Sequence, residues 1–168
     1  MSSGEKRVLI LMGSDSDQPA MKPAWEALAE FHVGCEVRVV SVHRAPDVAL
    51  ELARSARDQG HKVIICGAGM AAHLAGAVAA QTTLPVIGVP LQNGALQGLD
   101  ALYSTVQMPP GVPVATVAIG GARNAGILAV QILATADPKL AEALERFKAK
   151  LREQVLEKDK KVGKDLGR

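Results

Sequence analysis

Five short apolar runs recur along the chain, and each gives way to a longer stretch of helical character. The runs are Arg7–Met12, Glu36–Ser41, Lys62–Cys66, Val86–Val89 and Val114–Ile119. The helical stretches lie near Gln18–Phe31, Asp47–Gln59, Ala72–Gln81, Leu96–Val106 and Ala122–Ala134. Val and Ile dominate the runs, and branched side chains suit a pleated surface. The runs are continuously apolar, which is the pattern of strands covered on both faces. Strand then helix, repeated, predicts a parallel sheet between two helical layers. The expected fold class is therefore α/β, a three-layer αβα sandwich with a central parallel sheet, flavodoxin-like or Rossmann-like, plus a long C-terminal helix.

The 168 residues fit a single catalytic domain, with a core over 7–135, a C-terminal helix over about 138–158 and a frayed basic tail over 159–168. A chain of this length buries roughly 70% of its unfolded surface. In the last helix Leu140, Leu144, Phe147, Leu151 and Val155 form one narrow stripe on a charged surface. Residues 139–168 carry ten Lys and Arg against six Asp and Glu, so the basic excess belongs to this end. The rest of the chain is slightly acidic, which speaks against a nucleic-acid partner. Aromatic residues are 2% of the chain, too few for a base-stacking platform or a flavin sandwich. Cys35 and Cys66 sit among apolar residues and read as buried free thiols, which suits a reducing, cytoplasmic location. Residues 1–6 are too short and polar for a signal peptide, and no apolar stretch reaches the ~18 residues of a membrane span.

In open parallel sheets ligands bind beyond the carboxyl ends of the strands. The first strand delivers GSDSD there, Gly13 to Asp17. This is either a plain capping turn or an anion cradle of hydroxyls and helix N–H groups, with Asp17 as a hydroxyl acceptor. It lacks the Gly-Lys-Ser/Thr ending of a nucleotide P-loop. The second strand delivers Ser41, His43 and Arg44. Arginine offers a fixed fork to phosphate or carboxylate, and histidine is the natural proton carrier near neutral pH. The third delivers GAGMAAHLAG, 67–76, whose glycines let backbone approach a ligand. His73 within it reads first as a helix-start or packing residue. The fourth delivers Gly88, Pro90, Gln92 and Asn93. Asp47 reads as the cap of the second helix, His32 and His61 as surface loop residues, and Met21 and Trp25 as core. No Cys, His and Asp spacing suggests a metal site.

Taken together, MGSDSD (12–17), SVHRAPD (41–47), GAGMAAHLAG (67–76), PVIGVP (85–90) and GLDALYSTVQMPPGVPVATVAIG (98–120) resemble one family. This is the class I N5-carboxyaminoimidazole ribonucleotide mutases, the phosphoribosylaminoimidazole carboxylase catalytic subunit family of purine (IMP) biosynthesis. The likeness covers roughly Val8 to Ala134. Val42 departs from the family's usual Ala, Ala75 from its usual Pro, and AIGGARNAG is shorter than in many relatives.

The resemblance implies an isomerase that converts N5-carboxyaminoimidazole ribonucleotide to 4-carboxy-5-aminoimidazole ribonucleotide by decarboxylation and recarboxylation in a closed site. It implies no cofactor and no metal. His43 would be the catalytic proton carrier. Ser14, Ser16, Ser41 and Arg44 would hold the phosphate and Asp17 the ribose. Gly69, Ala71, Ala72, His73 and Leu74 would grip the carboxylate. The family's assembly implies a homo-oligomer, an octamer, with the last helix reaching a neighbour, and a small-molecule nucleotide substrate with no nucleic acid and no membrane as partners. The nearest rival is a class II carboxylase using free carbon dioxide, which typically has Lys at the position of Arg44. A binding or signalling module on the same sheet is the other class of reading. The third strand ends on CGAG, without the Asp of a phosphoacceptor receiver.

Overall fold

The structure is a computed structural model that describes residues 5–166. Five strands, β1 Lys6–Met12, β2 Gly34–Val39, β3 Val63–Gly69, β4 Val86–Leu91 and β5 Ala115–Thr116, form one sheet in the order β2-β1-β3-β4-β5. Every pairing is parallel, with Ile10 opposite both Val37 and Ile65, and Ile65 opposite Ile87. The helices are α1 Gln18–Glu30, α2 Pro46–Ser55, α3 Leu74–Ala79, α4 Leu99–Val106, α5 Ala122–Ala134 and α6 Pro138–Asp165. The order of β1 reverses the winding direction, so the crevice between β1 and β3 is the switch point where such sheets bind ligands.

Side chains alternate across each strand and supply two cores. Val8, Ile10, Met12, Val63, Ile65, Ile87 and Val89 face α1 and α5. Leu9, Leu11, Ile64, Cys66 and Val86 face α2 and α3. This is the three-layer sandwich expected from the apolar runs. Truncating a fully enclosed residue such as Ile65 to Ala typically costs 2–5 kcal/mol. Burial raises the Cys66 thiol far above its ordinary range, whereas Cys35 is only half-buried, so one of the two expected interior thiols is partly open.

Two glycines set helix spacing. A Cβ at Gly126 would overlap the carbonyl oxygen of Ala24 and lie 2.9 Å from the Ala27 Cβ, so α5 lies directly on α1. A Cβ at Gly88 would overlap the Thr105 methyl group, which brings α4 onto β4.

Several expectations need correction. The run ending in SVHR is an edge strand, not a doubly covered one: β2 stops at Val39, and Val37 and Val39 are exposed. An edge strand has only one neighbour, so its apolar side chains need not both be covered. Asp47 does not cap α2. The cap position is Ala45, with Pro46 opening the helix through its fixed φ, and Asp47 lies in the first turn. His61 is buried at 1% exposure, and its Nδ1 lies 2.7 Å from the Lys6 carbonyl oxygen. Helix α6 extends beyond the expected end near 158 and runs to Asp165, while 167–168 lie outside the described residues. Its start is anchored by Asp137, whose side chain accepts from the Leu140 N–H and pairs with Arg7 at 2.8 Å. That hydrogen bond holds the Asp137 carboxyl below its ordinary range.

Candidate active site

The carboxyl ends of β1, β3 and β4 and the segment after β2 surround a cavity of about 550 Å³. The turn after β1 is a capping turn whose residues also line the cavity. Ser14 caps a single 3₁₀ turn, Asp15–Asp17, in a reciprocal box: its hydroxyl accepts from Ser16 N–H at 3.3 Å, while Asp17 Oδ2 accepts from Ser14 N–H at 3.0 Å. The Ser16 hydroxyl donates to the Ser14 hydroxyl at 2.9 Å, so two hydroxyls and a helix start face the cavity together. Asp17 is buried, and its other oxygen, Oδ1, accepts from Asn93 Nδ2 at 3.2 Å.

After β2 the chain bends in a compact turn. Arg44 N–H donates to the Ser41 carbonyl and hydroxyl oxygens, and Ala45 N–H to the same carbonyl at 2.8 Å. This leaves Ser41, His43 and Arg44 lining the cavity. Among the described residues the Arg44 guanidinium forms no ion pair, unlike Arg7, Arg38, Arg123 and Arg146. A guanidinium without a carboxylate partner beside an open cavity is suited to receive an anion.

The glycine-rich segment starts inside β3 and then turns sharply. Met70 adopts a left-handed φ of 55°, and Ala72 and His73 N–H groups each bond a carbonyl two residues back. The turn puts the His73 ring at the start of α3 edge-on to His43, with Nδ1 of His73 2.8 Å from Nε2 of His43. His73 is thus a helix-start residue and a partner of His43 at once.

Of the expected site residues, Ser14, Ser16, Asp17, Ser41, His43, Arg44, Gly69, Ala71, His73 and Leu74 line this one cavity. Ala72 does not; it is buried behind the loop. Asn93, which the sequence places at the end of β4 with Gln92 but with no role assigned, also lines the cavity. A second cavity, of about 470 Å³, lies between α5 and α6 around Ile127, Phe147 and Leu151, with Val117, just after β5, in its wall. Among the described residues no cluster of three or more His, Cys, Asp and Glu is placed to hold a metal ion.

The family model described as AIR carboxylase matches residues 7–154. The chain belongs to the AIR carboxylase family. Within that family it is 54% identical to the N5-carboxyaminoimidazole ribonucleotide mutase of Mycobacterium tuberculosis over 167 residues, covering 99% of this chain and 96% of that protein. It is likewise 54% identical to the mutase of the same name from Thermotoga maritima, over 93% of this chain and 91% of that one. The crystal structure of Treponema denticola PurE matches its fold with a TM-score of 0.83 at 26% identity, over 92% of this chain and 96% of that chain. The chain thus matches these proteins over nearly its whole length.

Proposed function

We propose that this chain is an isomerase of purine biosynthesis that converts N5-carboxyaminoimidazole ribonucleotide to 4-carboxy-5-aminoimidazole ribonucleotide. The observation that carries the proposal is the His43–His73 pair, set beside an unpaired arginine and a hydroxyl-lined turn in one cavity. The substrate has a phosphate to hold and a proton to move, and the cavity has groups suited to both.

Ser14, Ser16, Ser41 and Arg44 hold the phosphate, and Asp17 holds the ribose. The 69–74 loop grips the carboxylate. His43 donates a proton to the ring-attached nitrogen as the nitrogen–carboxylate bond breaks, releasing carbon dioxide within the cavity. The ring carbon then attacks the carbon dioxide, and His43 takes back the proton that this carbon loses. The proton balance closes, and no electron is gained or lost. His73 orients the His43 ring and supplies the other end of the proton path. General acid–base help of this kind is worth about 10² to 10⁴ in rate. Confinement matters more, because carbon dioxide that escapes leaves the decarboxylated nucleotide behind; keeping the fragments in contact is a proximity effect.

The reading extends to one catalytic domain, a cytoplasmic location and a homo-octamer. Free thiols at Cys35 and Cys66 support the location. Exposed Leu99, Tyr103 and Val106 on α4 and the open stripe of α6 support the assembly.

The test is isotopic. Substrate labelled in its carboxylate is supplied in unlabelled bicarbonate, and the reaction is quenched early. Retained label in the carbon-carboxylated product is the expected result. Product carrying only unlabelled carboxylate would instead assign direct carboxylation with dissolved carbon dioxide.

A further inference from the structure

We propose that Asn93 is a positioning residue of this site, which holds one oxygen of the Asp17 carboxylate and so fixes the edge that meets the ribose. The inference deepens the functional reading given above and rests on it.

Asp17 is 5% exposed, and each of its oxygens already accepts one bond, from Ser14 N–H and from Asn93 Nδ2. A carboxylate offers about four lone-pair sites. One therefore remains on each oxygen, side by side, and two adjacent acceptors match the two hydroxyls of a vicinal diol. The terminal torsion of an aspartate is broad, so its carboxylate plane takes the orientation its partners impose. The Ser14 partner is backbone and is fixed by the capping turn. Asn93 is the partner that a side chain supplies.

The asparagine is itself held. Its N–H donates to the Leu91 carbonyl at 3.0 Å, and Gly94 follows with a left-handed φ of 71°. Its side chain packs on Gly69, where a Cβ would lie 2.5 Å from Asn93 Nδ2 and 2.8 Å from its Cβ. A carboxylate accepts only, so the amide nitrogen faces Asp17 and the rest of the exposed amide faces the cavity. Three strand ends, from β1, β3 and β4, meet at this single side chain.

The test compares wild type with N93A, N93D and G69A, by steady-state kinetics across pH with thermal unfolding of each. Asn93→Ala removes a hydrogen bond to a charged group, so KM should rise about 10-fold or more while kcat holds. Gly69→Ala leaves the asparagine intact but pushes it off Asp17, and should reproduce the KM effect. Asn93→Asp sets a second carboxylate against Asp17; the pair shares a proton, so KM should climb as pH rises and recover toward acid. His43, Arg44 and His73 also line the cavity, and Asp15 lies in the turn beside Asp17. Their contribution is read from the wild-type and N93A profiles and subtracted. A wild-type KM in folded N93A, a loss confined to kcat, or an N93D profile identical to wild type would overturn the proposal. A wild type that does not turn over the substrate would refute the functional reading itself.

Discussion

Only one proton fits between Nε2 of His43 and Nδ1 of His73, 2.8 Å apart, so one ring donates and the other accepts. Two N–H groups cannot face each other across that gap, so the tautomers of the two rings are coupled. The pair is therefore suited to hand one proton out and take one back. Replacing His43 by Asn should lower kcat by about 10³-fold or more, since the proton carrier is gone, with product binding by calorimetry largely kept. His73→Asn should cost less and should reshape the pH–rate profile, because an amide can orient His43 but cannot share its charge. Equal losses with an unchanged profile would remove His73 from the proton path. The sequence placed His43 at a strand end, but nothing local marked its partner, which lies thirty residues on and is brought round by the Met70 turn. His61 illustrates the converse. It reads like any loop histidine, yet the pairing of β1 with β3 encloses it. Asn93 was legible only as a strand-end residue, because its significance lies in contacts with Asp17 and Gly69, at the ends of two other strands.

At the level of elements, the apolar runs located all five strands, and α1 and α5 begin where the pattern said. What the pattern could not supply was rank within the sheet. β2 holds two valines to the one of β1, yet it lies at the edge, because position in a sheet depends on crossovers and not on valine content. The α1–α5 contact was equally unreadable, although Gly126 is its signature. Alanine is intrinsically favoured over glycine in a helix by about 1 kcal/mol. At Gly126 the added methyl would meet the backbone of Ala24, which cannot rotate aside, and overpacking of this kind costs about 1–3 kcal/mol. Repulsion should win: Gly126→Ala is expected to lower Tm in calorimetry. A raised Tm would mean that the two helices part at little cost.

An apolar stripe runs along α6. Leu140, Leu151 and Val162, and Leu144, Val155 and Leu166, recur every eleven residues, with Lys158 breaking the row that Phe147 starts, so the stripe holds nearly straight along a helix of 28 residues, about 42 Å. Its first half is covered, with Phe147 edge-on to Phe31. Its second half, from Leu151 onward, is open. If subunits cover it, light scattering should give a mass that is a multiple of the 17.5 kDa chain, and L151D with V155D should lower it. A monomeric wild type would overturn the assembly reading. The stripe was legible in the sequence, but its division into covered and open halves was not, since the body ends where α5 does. The contact between α1 and α5 has one further consequence, for how the chain comes together in time. The two helices are about a hundred residues apart, and every neighbour in the sheet is joined through a crossover, so little of the core forms from local pairs. Chains dominated by such distant contacts fold slowly. The single tryptophan, Trp25, sits on α1 against the cluster that α5 completes. The chain therefore carries its own optical clock for the moment its first and fifth helices meet.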